Sequence, residues 1–596
     1  MKTKVAVLGG GVAGMSAAHE LIERGFDVAV YERQPRYVGG KARSVDAENT
    51  GEGGRPDLPG EHGFRFFPGF YKHITDTMKR IPFGQNPQGV FDNLVISKRM
   101  MLARFGKPPI VSIVNFPKNR ADLRVLINAI THSDTGTTTQ DQELFASKLW
   151  QIITSSYERR QQEYERVSWW QFMETDQEGD GRNPSPYEEY FVGGLTHTLV
   201  AAQPKLMSTK TGGDILLQLI FLMLNPTGHA DRVLNGPTND VWLFPWLKYL
   251  QDKGVRYYHH HEATALHCDR ETRTITGATV RDTVTNEVKD VKADYYVSAV
   301  PLERMAKLVN PNIIAVDTAF DFIDDLAAKR AHSLNWMSGI QYYLNTEVSL
   351  TRGHVIFIDS PWAVTAISQL QFWPSFSIEK YGNGTVKAIL SVDVSDWFTP
   401  GLNGKKACDC TIQEVIDEVW NQMKKSLNVN GQTVLKDAMI VTTHVDCDIS
   451  QDNRTCHGFW ERSVDDLRNA EPLLVNTANS WNKRPEAYSN VKNLFLAADY
   501  VRTHTDLATM EGANEAARRA VNGIITATGA NVPLCEIWPL HEPDVLWVLR
   551  WLDRRRYEKG LPWTNDVPWL YGMLHEMNYL FHKLTGFRRA AKPVSA

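Results

Sequence analysis

Short apolar runs alternate with helix-spaced stretches at both ends of the chain and again in its middle. Lys4–Leu8 and Asp27–Tyr31 have the length and β-branched content of buried strands, and Met15 to Arg24 between them reads as a helix. That succession predicts a β–α–β unit. Val255-Arg256-Tyr257-Tyr258 and Tyr295 to Pro301 read as strands flanking a β-meander over roughly 263–291, with turns at Asp269-Arg270-Glu271 and Thr285-Asn286-Glu287. Val491 to Tyr500 is a buried strand approaching an acid, Asp499, and Leu507 to Ala520 opens a helix with small residues on one face. Beyond Asn522-Gly523 the tail is aromatic. Asp544 caps a helix with apolar residues at Val545, Val548, Leu549 and Leu552, and Arg554 to Arg556 suit the negative end of its dipole. Asp566 and Pro568 signal a second helix carrying Leu570, Met573, Leu574, Met577, Phe581 and Leu584, closed by Gly586.

The turn inside the first unit carries the chemistry. In Gly9-Gly10-Gly11-Val12-Ala13-Gly14, Gly9 permits a tight turn, Gly11 lets the backbone approach a pyrophosphate and Gly14 lets the helix pack on the strand. The first amides of that helix then aim at phosphates. Glu32, 18 residues after Gly14, is placed to accept hydrogen bonds from an adenosine ribose. A glycine turn alone says little. Strand before, helix after and acid at the end of the second strand together predict a dinucleotide site.

Bulk properties narrow the class. With 596 residues the chain exceeds the roughly 250–300 that one core holds, so two or more domains are expected. A net charge of −4 offers no basic face, and no nucleic-acid partner is expected. Ile215 to Leu224, broken by Gln218, falls short of the roughly 20 residues of a spanning helix, and with a strand starting at Lys4 no signal peptide is expected. Six cysteines, of which only Cys408 and Cys410 lie close together, make neither a disulfide framework nor a zinc pattern, so a reducing cytoplasm is expected. His259-His260-His261 looks like a metal tract, but on a strand its members alternate faces, and no metal is expected.

Separated pieces join into one pattern: the glycine turn with Glu32, Val38-Gly39-Gly40-Lys41-Ala42-Arg43-Ser44, Gly60-Glu61-His62-Gly63-Phe64-Arg65-Phe66-Phe67-Pro68-Gly69-Phe70-Tyr71, and Leu494 to Asp499 with Met510-Glu511-Gly512-Ala513. On these residues the chain, from 1 to about 525, resembles the flavin-dependent amine oxidase and phytoene desaturase superfamily, and within it the plant and cyanobacterial type of carotene desaturase. The resemblance implies FAD rather than a nicotinamide, which a contiguous N-terminal domain would hold. It implies Gly9, Gly11, Ala13 and Gly14 on the pyrophosphate, and Glu32 on the ribose. Arg33, Gly40, Lys41 and Arg43 would lie along the phosphates and flavin, Ala263 would offer backbone to adenine, and Phe64, Asp499 and Met510 would complete the flavin site.

The implied architecture is α/β: a discontinuous Rossmann-like FAD-binding domain (1–75, 235–305, 490–527), an inserted mixed α+β substrate domain (76–234, 306–489) and a helical C-terminal extension (528–596). Trp169-Trp170-Gln171-Phe172, Ile215 to Leu224, Val241 to Trp246 and Leu370 to Pro374 either line an apolar tunnel or form core. The tail helices, with Trp547, Trp551, Trp563 and Trp569, either lie in a membrane interface, which would make the protein peripheral, or pack on the body or a second subunit.

Flavin chemistry needs few catalytic side chains. Arg65 stands where carotene desaturases typically show histidine; it stabilises reduced flavin or orients a substrate group, or else pairs with Glu61 or Glu32. Arg502 and His504, in the loop after Asp499, are candidates for moving a proton. The expected activity is desaturation of an apolar, isoprenoid-like substrate, with electrons passed on to a quinone or oxygen. The alternatives are a redox-neutral isomerase or dehydroxylase of the same fold, an amine or amino-acid oxidase, and a non-catalytic flavin-binding partner protein.

Overall fold

The computed structural model describes residues 2–63, 66–115, 135–175, 185–193, 203–225, 228–328, 334–348, 350–450 and 468–565. Five parallel strands form the first sheet: β1 (Lys4–Leu8), β2 (Asp27–Tyr31), β3 (Arg256–Tyr258), β4 (Tyr295–Ser298) and β5 (Leu494–Leu496), in the order β5-β4-β1-β2-β3. Val5 to Leu8 are buried, as a central strand covered on both faces requires. The chain enters α1 (Val12–Glu23) through Gly9, whose φ of +100° and a virtual Cβ 2.8 Å from the Ala299 carbonyl oxygen admit only glycine. The meander follows β3 as Leu266-containing strand His261–Asp269, then Thr274–Asp282 and Val288–Val291.

A second, seven-stranded sheet runs Ile440–Val445, Ser338–Leu344, Ala388–Val394, Val364–Ser368, Gly353–Phe357, Arg99–Arg104, Lys107–Ile113. It takes strands from both of the segments expected to be inserted. Its pairings are antiparallel except Gly353–Phe357 with Arg99–Arg104. The helix Ile412–Leu427, opened by a Thr411–Glu414 capping box, buries Val415, Val419, Trp420 and Met423 in the same cluster as Ile340, Tyr342 and Val392. A helical layer containing Thr139–Thr154 and α2 (Thr209–Leu224) packs around Trp169 and Met207. Near the end of the first fold unit, α3 (Leu302–Leu308) follows β4, and α4 (Met510–Thr528) lies along α1, where Asn514 donates to Ser16 Oγ at 2.8 Å.

Two expectations change in detail. Asp544 does not cap the tail helix; Asp544–Leu546 winds as a tighter 3₁₀ turn, and α5 (Trp547–Tyr557) starts behind it. The helix buries Leu549 and Asp553, while Trp547 is 60% and Trp551 46% exposed. The second tail helix lies outside the described residues. His259 and His260 occupy the turn between β3 and the meander, with His260 at φ 60°, and His261 opens the meander's first strand, so the three do not share one strand. Among the described residues no helix is long and apolar enough to cross a membrane.

Candidate functional site

A cavity of about 740 Å³ opens where the strands of the parallel sheet end. Gly9 and Gly11 follow β1, Glu32 follows β2, Ala299 follows β4 and Asp499 follows β5, and all line it. This is the carboxyl edge at the switch point between β1 and β4, where open α/β sheets take their ligands. The far end reaches the second sheet through Met337, Ile356 and Thr365, and α2 through Ile215 and Leu219.

The turn at one end is preset for a dinucleotide. Glu32 accepts from the amides of Gly10 at 2.6 Å and Gln34 at 2.8 Å, which fixes its carboxylate at the cavity wall. Tyr257 donates to the Gly10 carbonyl at 3.0 Å, and Gly11 and Gly39 form a parallel bridge. No side chain caps α1, so its first amides, at Val12 and Ala13, are presented to the cavity with the positive end of the helix dipole. Gly14 lines no part of it. A Cβ there would sit 1.9 Å from the Gly9 carbonyl oxygen, so this glycine lets helix and turn close up.

The cations expected along the phosphates line the cavity too, each with an acid behind it. Arg33 pairs with Glu471, Lys41 with Glu303 at 3.2 Å, and Arg43 with Asp448 at 2.5 Å. Arg304, which sequence reasoning missed, differs: its Nε is buried without a hydrogen-bond partner among the described residues, and burial, reinforced by Arg33, holds its pKa below the ordinary arginine value. Its signal was its place on α3, directly after the carboxyl end of β4. A guanidinium and uncapped helix amides lining one cavity suit a diphosphate, and together with Glu32 and Ala263 in the same lining these residues fit FAD.

At the other end Asp499 and Met510 line the cavity. Burial pushes the Asp499 carboxyl up against the pull of Lys41. Met510 is the first residue of α4, whose cap Thr509 accepts from the Gly512 amide at 3.2 Å. Glu511 points the other way and accepts from the amides of Lys72, His73 and Ile74 at 2.8 to 2.9 Å, so it holds the start of the helix His73–Lys79. The loop before α4 hangs on Asp506, at φ 45°, which takes Lys210 Nζ at 3.0 Å, Thr211 Oγ1 at 2.6 Å and Arg484 Nη1 at 2.9 Å. Glu165 lies beside this cluster and accepts from the Trp481 amide at 2.7 Å.

Other candidates have different places. Phe64 and Arg65 lie outside the described residues. Arg502 donates to the carbonyls of Asn482 and Arg484 and pairs with Glu486, and His504 gives its amide to Glu515. Neither is on the cavity wall, because the loop turns both toward the helical layer and α4. Of the aromatic and aliphatic runs, Trp169, Phe172, Trp242, Trp246, Phe372 and Trp373 are core; Ile215 and Leu219 reach the cavity.

Comparison with known proteins agrees with this geometry. Residues 7–81 match the NAD(P)-binding Rossmann-like domain family, and residues 247–525 match flavin containing amine oxidoreductase. The chain is 24% identical over 549 residues to zeta-carotene desaturase of Synechocystis sp., covering 88% of this chain and 97% of that one. Against chloroplastic/chromoplastic zeta-carotene desaturase of Zea mays it is 36% identical over 88 residues, only 14% of either chain. In fold it is similar to cyclohexylamine oxidase from Brevibacterium oxydans, with a TM-score of 0.57, 12% identity and coverage of 89% of this chain and 100% of that one. Residues 7–81 and 247–525 thus carry a Rossmann-like domain and a flavin-containing amine oxidoreductase domain, and the chain, similar to a carotene desaturase along most of its length, is an FAD-dependent oxidoreductase.

Proposed function

We propose that this oxidoreductase desaturates an extended, apolar, isoprenoid-type substrate. The observation that carries the reading is the likeness to a zeta-carotene desaturase along nearly the whole chain. It is supported by the far cavity wall, where Phe66, Phe70, Tyr71, Ile215, Leu219 and Ile356 present hydrocarbon. FAD, when bound, supplies the two-electron acceptor. Glu32, the amides of α1 and Arg304 would hold it by ribose and diphosphate. The apolar wall would lay the substrate along the ring and keep water out. A quinone or oxygen would take the electrons onward, and the exposed Trp547 and Trp551 would rest on the membrane that supplies a lipophilic substrate.

The test is anaerobic mixing of the FAD-loaded protein with ζ-carotene in phospholipid vesicles. Stoichiometric bleaching of oxidised flavin and a product two hydrogens lighter are expected; an unbleached flavin would overturn the reading. A second reading, a redox-neutral isomerase or dehydroxylase, draws on the polar groups His62, His354 and Asp393 on the same wall. Turnover that requires pre-reduced flavin would select it.

A further inference from the structure

The seven-stranded sheet has two unlike faces. Residues alternate sides along each strand, so Val355, Phe357, Val364, Ala366, Val392 and Val394 make one apolar face under the helix Ile412–Leu427. The opposite face brings His354, Thr365, Asp393 and Ser395 to the cavity lining. A buried polar side chain is costly unless something bonds it, and most of those here are bonded. Gln341 Nε2 donates to Ser391 Oγ at 2.9 Å, His354 Nδ1 lies 2.7 Å from Asp231 Oδ2, and Asp393 is engaged as well. His62, in the same lining, has Asp446 at 2.5 Å. Thr365 and Ser395 are the exception. Each is 4% exposed, and among the described residues neither hydroxyl makes a hydrogen bond. Their oxygens open onto the cavity, whereas Nε2 of His62 is sealed from solvent. Thr365 stands opposite Asp393 in the antiparallel pair and Ser395 lies two residues further along, so the two are diagonal neighbours about 7–8 Å apart. That spacing lets both reach one end of a ligand. Valine at 365 and alanine at 395 would keep the shape of the wall and finish it in hydrocarbon, like Phe66, Phe70 and Ile356 in the same lining. Hydroxyls suit an oxygen on the ligand instead.

We infer that Thr365 and Ser395 hold an oxygen function, a hydroxyl or a carbonyl, on an otherwise apolar isoprenoid-type substrate. This rests on the desaturase reading for the body of the substrate and adds the class of its end group. A side-chain hydroxyl both donates and accepts, so the pair serves an alcohol in both directions and a carbonyl with two donors. Anchoring that oxygen fixes how far the chain enters the cavity, and so which carbons are presented to bound FAD. The oxygen is a handle and stays in the product.

The test compares tritiated geranylgeraniol with the tritiated hydrocarbon of the same skeleton, each delivered from phosphatidylcholine vesicles to the FAD-loaded protein, and measures the fraction bound. A Thr365→Val, Ser395→Ala double variant, its fold confirmed by retained flavin, is expected to lose about tenfold in preference for the alcohol, and each single variant about threefold. A preference unchanged from wild type overturns the assignment. Geranylgeranial reads the contact in wild type alone. Two donated hydrogen bonds are expected to lower the C=O stretch of the bound aldehyde, and a stretch equal to that in hydrocarbon solvent overturns the assignment too. None of these readouts needs turnover. Flavin left oxidised by ζ-carotene sinks the desaturase reading, while the preference still decides the two hydroxyls; bleaching by ζ-carotene with an unchanged preference keeps that reading and removes the hydroxyls from it.

Discussion

Arg159 Nε donates to both carboxylate oxygens of Asp553, at 2.9 and 3.0 Å, and both side chains are buried. One lies in the helical layer and the other in α5, so this pair clasps the tail to the body. Removing one partner of a buried pair strands the other charge at about 3–5 kcal/mol. Asp553→Ala is therefore expected to lower the denaturation midpoint and open the tail to limited proteolysis. An Arg159→Met, Asp553→Leu double variant is expected to recover most of the loss.

Arg304 leads to an opposite pair of effects. A largely buried guanidinium that forms no ion pair among the described residues, with carboxylates acting on it only at longer range, is a cost to the empty protein and a gain to the FAD complex. Arg304→Met is expected to leave the apoprotein as stable or more so, and to weaken FAD binding about tenfold, equivalent to about 1.4 kcal/mol. Reconstitution followed by flavin fluorescence reads the second, thermal denaturation of apoprotein the first.

Glu165 makes stability depend on pH. Burial, with the nearby charge of Asp506, pushes its carboxyl up from 4.5 to about 7 against the pull of Lys210. The folded state thus holds a proton that the unfolded chain gives up. The stabilisation is complete below about 4.5 and is lost as pH rises through about 7. Glu165→Gln, which keeps the shape of the neutral acid, is expected to flatten the fall in denaturation midpoint across that window.

Gly14→Ala tests the turn. Its Cβ would meet the Gly9 carbonyl oxygen at 1.9 Å, and backbone must move to admit it. The expected outcome is protein purified without yellow colour, or none in soluble form. Gly25→Ala, where no atom lies within 4 Å although φ is +85°, is expected to cost about 1 kcal/mol and to keep its flavin.

Vesicle co-sedimentation addresses the tail surface. If Trp547 and Trp551 rest on a membrane, Trp547→Ser with Trp551→Ser lowers the bound fraction several-fold while the flavin spectrum stays unchanged. Equal binding removes the membrane role.

How legible the site was depended on sequence distance. The glycine turn, Glu32, Asp499 and Met510 could be read because each sits in a contiguous strand-to-helix passage whose backbone geometry dictates the residue types. His62 and Asp446, or Lys210 and Asp506, meet only after hundreds of intervening residues have folded, and nothing local marks them. The aromatic runs misled for another reason. Trp169 and Trp242 have the same helical spacing whether they face a tunnel or a core, and only the packing decides. Arg502 was read from its closeness to Asp499 in sequence, but a loop can reverse a side chain within three residues.

The cavity wall begins at Gly9 and does not finish until Ala513. Its central strand β1 borders β4, where Lys4 bonds Asp294 across 290 positions, and β5 closes the edge later still. A chain emerging from the ribosome therefore carries an open parallel sheet edge through most of its synthesis. Loop closure on that scale is slow, and the half-built edge invites pairing with other chains. Production of this protein should depend on chaperone capacity and on free FAD, since the ligand binds only the finished sheet and draws the last step of folding forward.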